Sequence, residues 1–243
     1  MKRAVYFILI ASLALIFYLD DCPTEIAEKT IVTAIGIDTE EDGYLVTMQI
    51  FKPEGSGSDT AVDPSLPNIS ILKGKGKTVK KAVEQCKSKL GGEMYIGKNR
   101  IIVFGKETDF KDIEKLTGYF LDDPECRYKI DCAAADGRAE KLLELPVLGG
   151  AVGSERFTQM IRSAKEKCRF RECTLDELYT AMKDGSKSII MPMFGSCEQK
   201  TEKSGESAGG EENEEKLSPA SEIILDRCSV FENGLFAYSF DST

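Results

Sequence analysis

Histidine and tryptophan are both absent from the 243-residue chain. Without histidine the commonest general base and metal-ligating side chain is missing. Ser–His and Cys–His nucleophile arrangements are excluded, and with them most zinc enzyme sites. None of the eight cysteines, at positions 22, 86, 126, 132, 168, 173, 197 and 228, forms a CxxC pair, so a four-thiolate metal site is not expected. An excess of basic charge is missing as well. The net charge of −9 gives no electrostatic reason to bind nucleic acid or an anionic lipid surface, and it reads as solubility.

What is present is enough to build a core. The chain is 42% hydrophobic and 30% charged, the balance of a globular body of one or two domains. If that body is exported, some of its cysteines can pair as disulfides, whose connectivity the sequence leaves open; otherwise they are buried thiols acting as small hydrophobes.

The N-terminus is different in kind. Lys2 and Arg3 precede sixteen uncharged residues, Ala4 to Leu19, and Asp20-Asp21 follow. Positive charge before the run and negative charge after it predict the N-terminus inside and the body outside. As a helix the run spans about 24 Å, short for a bilayer core of about 30 Å and long for a signal h-region. Two readings stay open: a signal peptide processed at Cys22, with lipidation of that cysteine, or an uncleaved anchor. Leu19 suits a lipidation signal three residues before Cys22, whereas Asp20 and Asp21 do not.

Beyond residue 29 the pattern alternates between strands and helices. Thr30–Ile37 and Tyr44–Phe51, rich in β-branched and aromatic residues, flank a turn marked by Asp42-Gly43. Asn68–Lys73 is a short strand, and Thr78–Leu90 sets Val79, Ala82, Val83, Cys86 and Leu90 on one helical face. A buried strand at Arg100–Phe104, a helix over Asp109–Leu121 and a strand over Tyr128–Ala135 follow. The fold class is α+β, a mixed β-sheet flanked by helices behind the N-terminal targeting segment.

Two helical pieces are expected between Arg138 and Lys167, divided near Pro146 and Gly149-Gly150. Thr174 and Glu177 form a capping-box pattern for a further helix. Pro192 suggests an edge position for a strand over Ser188–Phe194. Residues Glu198–Pro219, with seven glutamates and three lysines, read as a disordered acidic loop. A closing hairpin, Ser221–Phe231 with Leu235–Phe240, turns at Glu232-Asn233-Gly234.

No catalytic, cofactor or metal motif stands out. GKGKT, Gly74 to Thr78, holds only the end of a phosphate-loop pattern, because Ile71 occupies the place of the leading glycine; a basic turn capped by Thr78 is the simpler reading. The carboxylate pairs Glu40-Glu41, Asp122-Asp123 and Glu211-Glu212 read as solvated turn charge, and Asp176-Glu177 suits a helix N-terminus. Gly36, Gly97 and Gly105 flank strands, where turns or special backbone angles call for glycine.

Several blocks, in order, resemble the N-terminal portion of the C subunit of spore germinant receptors. They are Cys22 with Glu25-Ile26 and IVTAIGID (Ile31–Asp38), then YLVTMQIFKPEG (Tyr44–Gly55). GKGKTVKKAVEQCKSKLGGEMYIGKNRIIVFGKE (Gly74–Glu107) and FLDDPECRYKIDCAAADGRAEKLLE (Phe120–Glu144) complete the set. The resemblance covers roughly residues 22–240. It implies residues 1–21 as signal peptide or anchor and 22–243 as the α+β body with its acidic loop at 198–219, and by the same resemblance the family's C-terminal domain is expected to be absent.

Functionally it implies a non-enzymatic lipoprotein without cofactors, lipidated at Cys22 and held on the outer face of the inner spore membrane. Its expected partners are the membrane and the receptor's A and B subunits, with any small-molecule germinant bound by the complex rather than by this chain. The alternative class is an unrelated extracytoplasmic lipoprotein or solute-binding envelope protein. A secreted hydrolase working through carboxylates lacks any motif.

Overall fold

The computed structural model describes residues 30–51, 69–90, 93–145, 153–185, 187–198 and 221–241, together with Arg3, Tyr6 and Ser12. Among these no helix is long and apolar enough to cross a membrane. The run Ala4–Leu19 (Tyr6 and Ser12 apart), Cys22 and the acidic stretch after Glu198 lie outside the described residues.

Among the described residues ten strands form one mixed sheet. In chain order they are β1 (Thr30–Glu40), β2 (Gly43–Phe51), β3 (Ile69–Gly76), β4 (Met94–Tyr95), β5 (Ile101–Phe104), β6 (Asp131–Ala135), β7 (Cys173–Thr174), β8 (Ile189–Glu198), β9 (Ser221–Glu232) and β10 (Leu235–Asp241). The helices are α1 (Val79–Leu90), α2 (Ile113–Asp122), α3 (Ala139–Glu144), α4 (Gly153–Glu166) and α5 (Leu175–Lys183), with a 3-10 turn at Phe110–Asp112 leading into α2.

Across the sheet the order is β10-β9-β8-β6-β5-β1-β2-β3, with β4 beside β1 and β7 beside β6. The central strands β8, β6, β5 and β1 run parallel. Antiparallel wings, β2–β3 on one side and β9–β10 on the other, extend that centre.

The parallel strands of the centre are joined by crossovers that place helices on both faces, and they are accordingly apolar on both sides. In β5, Ile102 and Phe104 enter one core while Ile101 and Val103 enter the other. On the first face lie α1, α2 and α5, through Val83, Phe120 and Leu178 among others. The second face carries α3 and α4, through Leu142, Leu143, Phe157 and Ile161. Small residues in the strands beneath α3 (Gly36, Ala133 and Ala135) let it approach closely. A Cβ on Gly36 would lie 2.8 Å from Leu143 Cδ1 and 3.2 Å from Ala139 Cβ.

Most expected elements are present within a few residues of their predicted bounds. At the closing hairpin, Asn233 (φ 52°) and Gly234 (φ 79°) adopt the left-handed angles its turn requires. Glu177 accepts the backbone N–H of Thr174 at 3.3 Å, and the Thr174 hydroxyl donates to Asp176 at 2.5 Å.

Four expectations change. Pro192 does not mark an edge strand, since β8 lies between β6 and β9. Its ladder with β6 begins only at Met193, however, so at Pro192 the strand hydrogen-bonds on the β9 side alone and the missing N–H is tolerated. The strand expected from Tyr128 begins at Asp131. The carbonyls of Tyr128 and Ile130 instead accept the first amides of α5, from Asp176 at 3.2 Å and Leu175 at 3.0 Å.

The GKGKT segment is not a turn throughout, because Gly74 and Gly76 belong to β3 and α1 packs directly upon them. A Cβ at Gly74 would stand 2.2 Å from the Ala82 carbonyl, and one at Gly76 2.5 Å from the Ala82 nitrogen. Thr78 does cap α1, accepting the Lys81 N–H at 3.2 Å. Gly36 and Gly105 likewise answer to close packing and not to backbone angle, as neither has positive φ.

Candidate functional site

The carboxyl ends of the parallel strands are where an open α/β sheet offers a site. β1 ends in the sequence I-D-T-E, which buries Asp38 beneath Glu40. β6 leaves the sheet through Asp136 and Gly137, and Gly137 at φ +133° turns the chain into α3. This turn brings the first amides of α3 onto Asp38. Ala139 N–H donates to Oδ1 at 2.8 Å and Glu140 N–H to Oδ2 at 2.9 Å.

Asp38 is only 3% exposed. Burial raises its pKa above the ordinary carboxylate value, against the opposing pull of the two amides and of Arg138. Gly105, at the end of β5, closes the other side: a Cβ there would fall 2.2 Å from Asp38 Oδ1. Both oxygens are thus engaged and walled in. The group fixes backbone and leaves no space for a substrate.

A rim of ion pairs surrounds it. Arg138 reaches Glu40 at 3.3 Å and Glu140 at 3.1 Å. From β3, Lys75 pairs with Glu40 at 2.7 Å, while Lys73 pairs with Glu140 at 2.8 Å and also with Glu144. The hydrogen bonds from Lys75 and Lys73 hold Glu40 and Glu140 below the usual carboxylate range. Further along the same edge, Asp136 takes Lys106 at 2.9 Å and Arg227 at 3.0 Å.

Between β1, β3, α1 and α3 the rim lines a cleft of ≈ 580 Å³, floored by Leu45 and edged by Gln85 and Lys89. Its cations are engaged: Lys73, Lys75 and Arg138 by carboxylates, and Lys89 by the Lys73 carbonyl at 2.7 Å. Such an arrangement ties β3 and α3 to the sheet centre and presents a polar surface. It contains no nucleophile–base pair.

Of the carboxylates singled out in the sequence that lie among the described residues, only Glu40 joins this network. Asp123 accepts the Glu125 N–H in the turn after α2, at 2.9 Å, and Asp176-Glu177 begin α5. Glu211-Glu212 and Cys22 lie outside the described residues. Among the described residues, no group of three or more Cys, Asp or Glu side chains is placed to hold a metal ion. Sequence reasoning missed Asp38 and Arg138, which lie 100 positions apart and meet only because β6 adds next to β5 and β5 next to β1. The one local signal was an aspartate closing an otherwise apolar strand.

Comparison with known proteins gives one result. No curated protein and no solved structure matches the chain. The protein-family model described as "Spore germination protein N-terminal domain" matches residues 23–196, well over half of the 243 residues. The match opens at the residue after Cys22 and runs through β1 to β7 and into β8, including Asp38, Gly105, Arg138 and the ion pairs around them, Arg227 excepted. By that match the chain belongs to the family of spore germination proteins defined by this N-terminal domain, and its role lies in spore germination.

Proposed function

We propose that this protein is the membrane-anchored, non-enzymatic C subunit of a spore germinant receptor, contributing to nutrient-triggered germination in company with the receptor's A and B subunits. The family match over residues 23–196 carries the reading. The N-terminus supports its location: a basic start, an apolar run from Ala4 to Leu19 and then Cys22, directly before the matched segment. Residues 1–21 then act as signal peptide or anchor, Cys22 is the lipidation site, and the body stands on the extracytoplasmic face.

The chemistry of the body supports a non-catalytic role. The chain has no histidine, and the carboxylates at the strand ends are spent on backbone amides and ion pairs. Such a subunit works by holding a shaped surface against partner subunits, and recognition of the nutrient belongs to the complex. Mass spectrometry of the mature N-terminus, on protein extracted from spore membranes, tests the anchoring. A chain beginning at an acylated Cys22 is expected. An unmodified chain recovered from the soluble fraction would overturn the reading.

A further inference from the structure

Two of the cysteines, both free thiols in the structure, are neighbours across a strand pair. Cys132 in β6 and Cys173 in β7 are directly opposite one another in the antiparallel β6–β7 pairing. Opposite residues of such a pair point to the same face, and their Cα atoms are about 4.5 or 5.5 Å apart according to their place in the ladder, both within the range of about 4.4–6.8 Å that a disulfide spans. Cys132 is wholly buried and Cys173 nearly so, within one hydrophobic cluster. Among the cysteines of known placement no other pair is matched across strands. Cys86 lies on α1, Cys126 and Cys168 lie in turns, and Cys228 in β9 faces Pro192 and Phe240.

We propose that Cys132 and Cys173 are the site of a disulfide bond that staples β7 to β6. The step is thiol–disulfide exchange with a small-molecule disulfide as the oxidant. One cysteine thiolate attacks the oxidant and releases one thiol, and the second cysteine then displaces the other. The Sγ–Sγ bond forms as the oxidant's disulfide is reduced to two thiols, which take up the two protons. Because the folded protein shields both sulfurs, the exchange takes place as the chain folds, before β7 and α5 close over β6. The finished bond is then protected from reductants by the same burial.

The bond has a definite mechanical place. Between Cys132 and Cys173 the chain leaves the sheet, forms α3 and α4 on one face, and returns beside its point of departure. A link there closes the excursion at its base and restricts the unfolded chain over a loop of about forty residues. An oxidising compartment is required in the cell, and in that respect alone the inference rests on the export proposed above.

Peptide mapping tests it. The full chain is refolded in a mixture of reduced and oxidised glutathione, its free thiols are blocked with N-ethylmaleimide, and it is digested with trypsin without reduction. Cys132 falls in the peptide 130–138 and Cys173 in 172–183, each as its only cysteine. The expected product is these two peptides joined, two hydrogens lighter than their sum, with oxidised protein melting several degrees above reduced protein. Recovery of both peptides alkylated, or joined to other cysteines, would overturn the proposal. The same map on protein trapped in spore extracts separates the two readings: a link formed in vitro but absent in spores contradicts export and leaves the pairing intact.

Discussion

Asp38 accepts the backbone N–H of Ala139 at 2.8 Å, joining the end of β1 to the first residue of α3 across a sequence separation of 101. A second bond from Glu140 N–H, at 2.9 Å, makes the contact bidentate. Through it a six-residue helix too short to be stable alone is held against the sheet.

Replacing that carboxylate is therefore costly. Asp38→Ala leaves two amides without their acceptor and a void beside Gly105; the expected loss is about 2–3 kcal/mol, from a lost cap and buried unsatisfied donors. Asp38→Asn, which keeps one acceptor oxygen, should lose less. Urea denaturation followed by circular dichroism measures both, and equal midpoints for Asp38→Ala and the parent protein would contradict the assignment.

The glycines of the GKGKT segment are sites of helix packing. Gly74→Ala forces a methyl group to within 2.2 Å of the Ala82 carbonyl, which belongs to backbone and cannot turn away. A destabilisation of about 1–3 kcal/mol is expected, as for other overpacked sites. Lys75→Ala, which removes an exposed ion pair with Glu40, should cost under about 1 kcal/mol. Magnesium-ATP should leave the melting temperature of the parent protein unchanged, and a rise on adding it would point to a phosphate site.

Asp131 makes stability depend on pH in a defined window. Burial, and after it the charge of Glu172, raise its pKa to about 6, although Arg162 and Lys165 oppose the shift. The folded protein thus holds this proton more tightly than the unfolded chain, in which the group titrates near 4. Its contribution is favourable below about pH 4 and is lost as the pH rises to about 6. Asp131→Asn removes that dependence and should be more stable than the parent at pH 7, by about 1 kcal/mol once solvent screening of this half-buried group is allowed for. Thermal melts of both proteins from pH 4 to 7 read the difference, and parallel curves would contradict it.

Phe110 joins the closing hairpin to the rest of the sheet. Its ring makes edge contacts with Phe104 at 5.0 Å and Phe231 at 4.9 Å, and its N–H donates to the Gly234 carbonyl at 2.8 Å. Phe110→Ala should cost about 3–5 kcal/mol. The loss should appear first as faster amide exchange in β9 and β10, read by hydrogen–deuterium exchange. Uniform acceleration across the sheet would show instead that the hairpin is not separately anchored.

Local signals made much of this architecture legible. Runs rich in β-branched and aromatic residues announced β1 and β2, a short continuous apolar run announced β5, the helical face of Val79, Ala82, Val83 and Cys86 announced α1, and Asn233-Gly234 announced the last turn. The sheet order was not legible, and what depends on it escaped. Pro192 looked like an edge residue because a proline signals a missing N–H and says nothing of which side of the strand lacks a partner. Asp38 escaped as a site residue because its two amide donors come from a segment about a hundred positions away. Gly36 and Gly74 looked like punctuation, although each is small to admit a helix. The pairing of Cys132 with Cys173 was closed to sequence reasoning for the same reason, since no spacing rule predicts which strand β7 joins.

Affinity purification of the tagged chain from detergent-solubilised spore membranes, with mass spectrometry of what accompanies it, decides whether this chain is a subunit of a germinant receptor. Recovery in the membrane fraction together with the multi-span A and B subunits of one germinant receptor is expected. A chain recovered alone, or only from the soluble fraction, would contradict it.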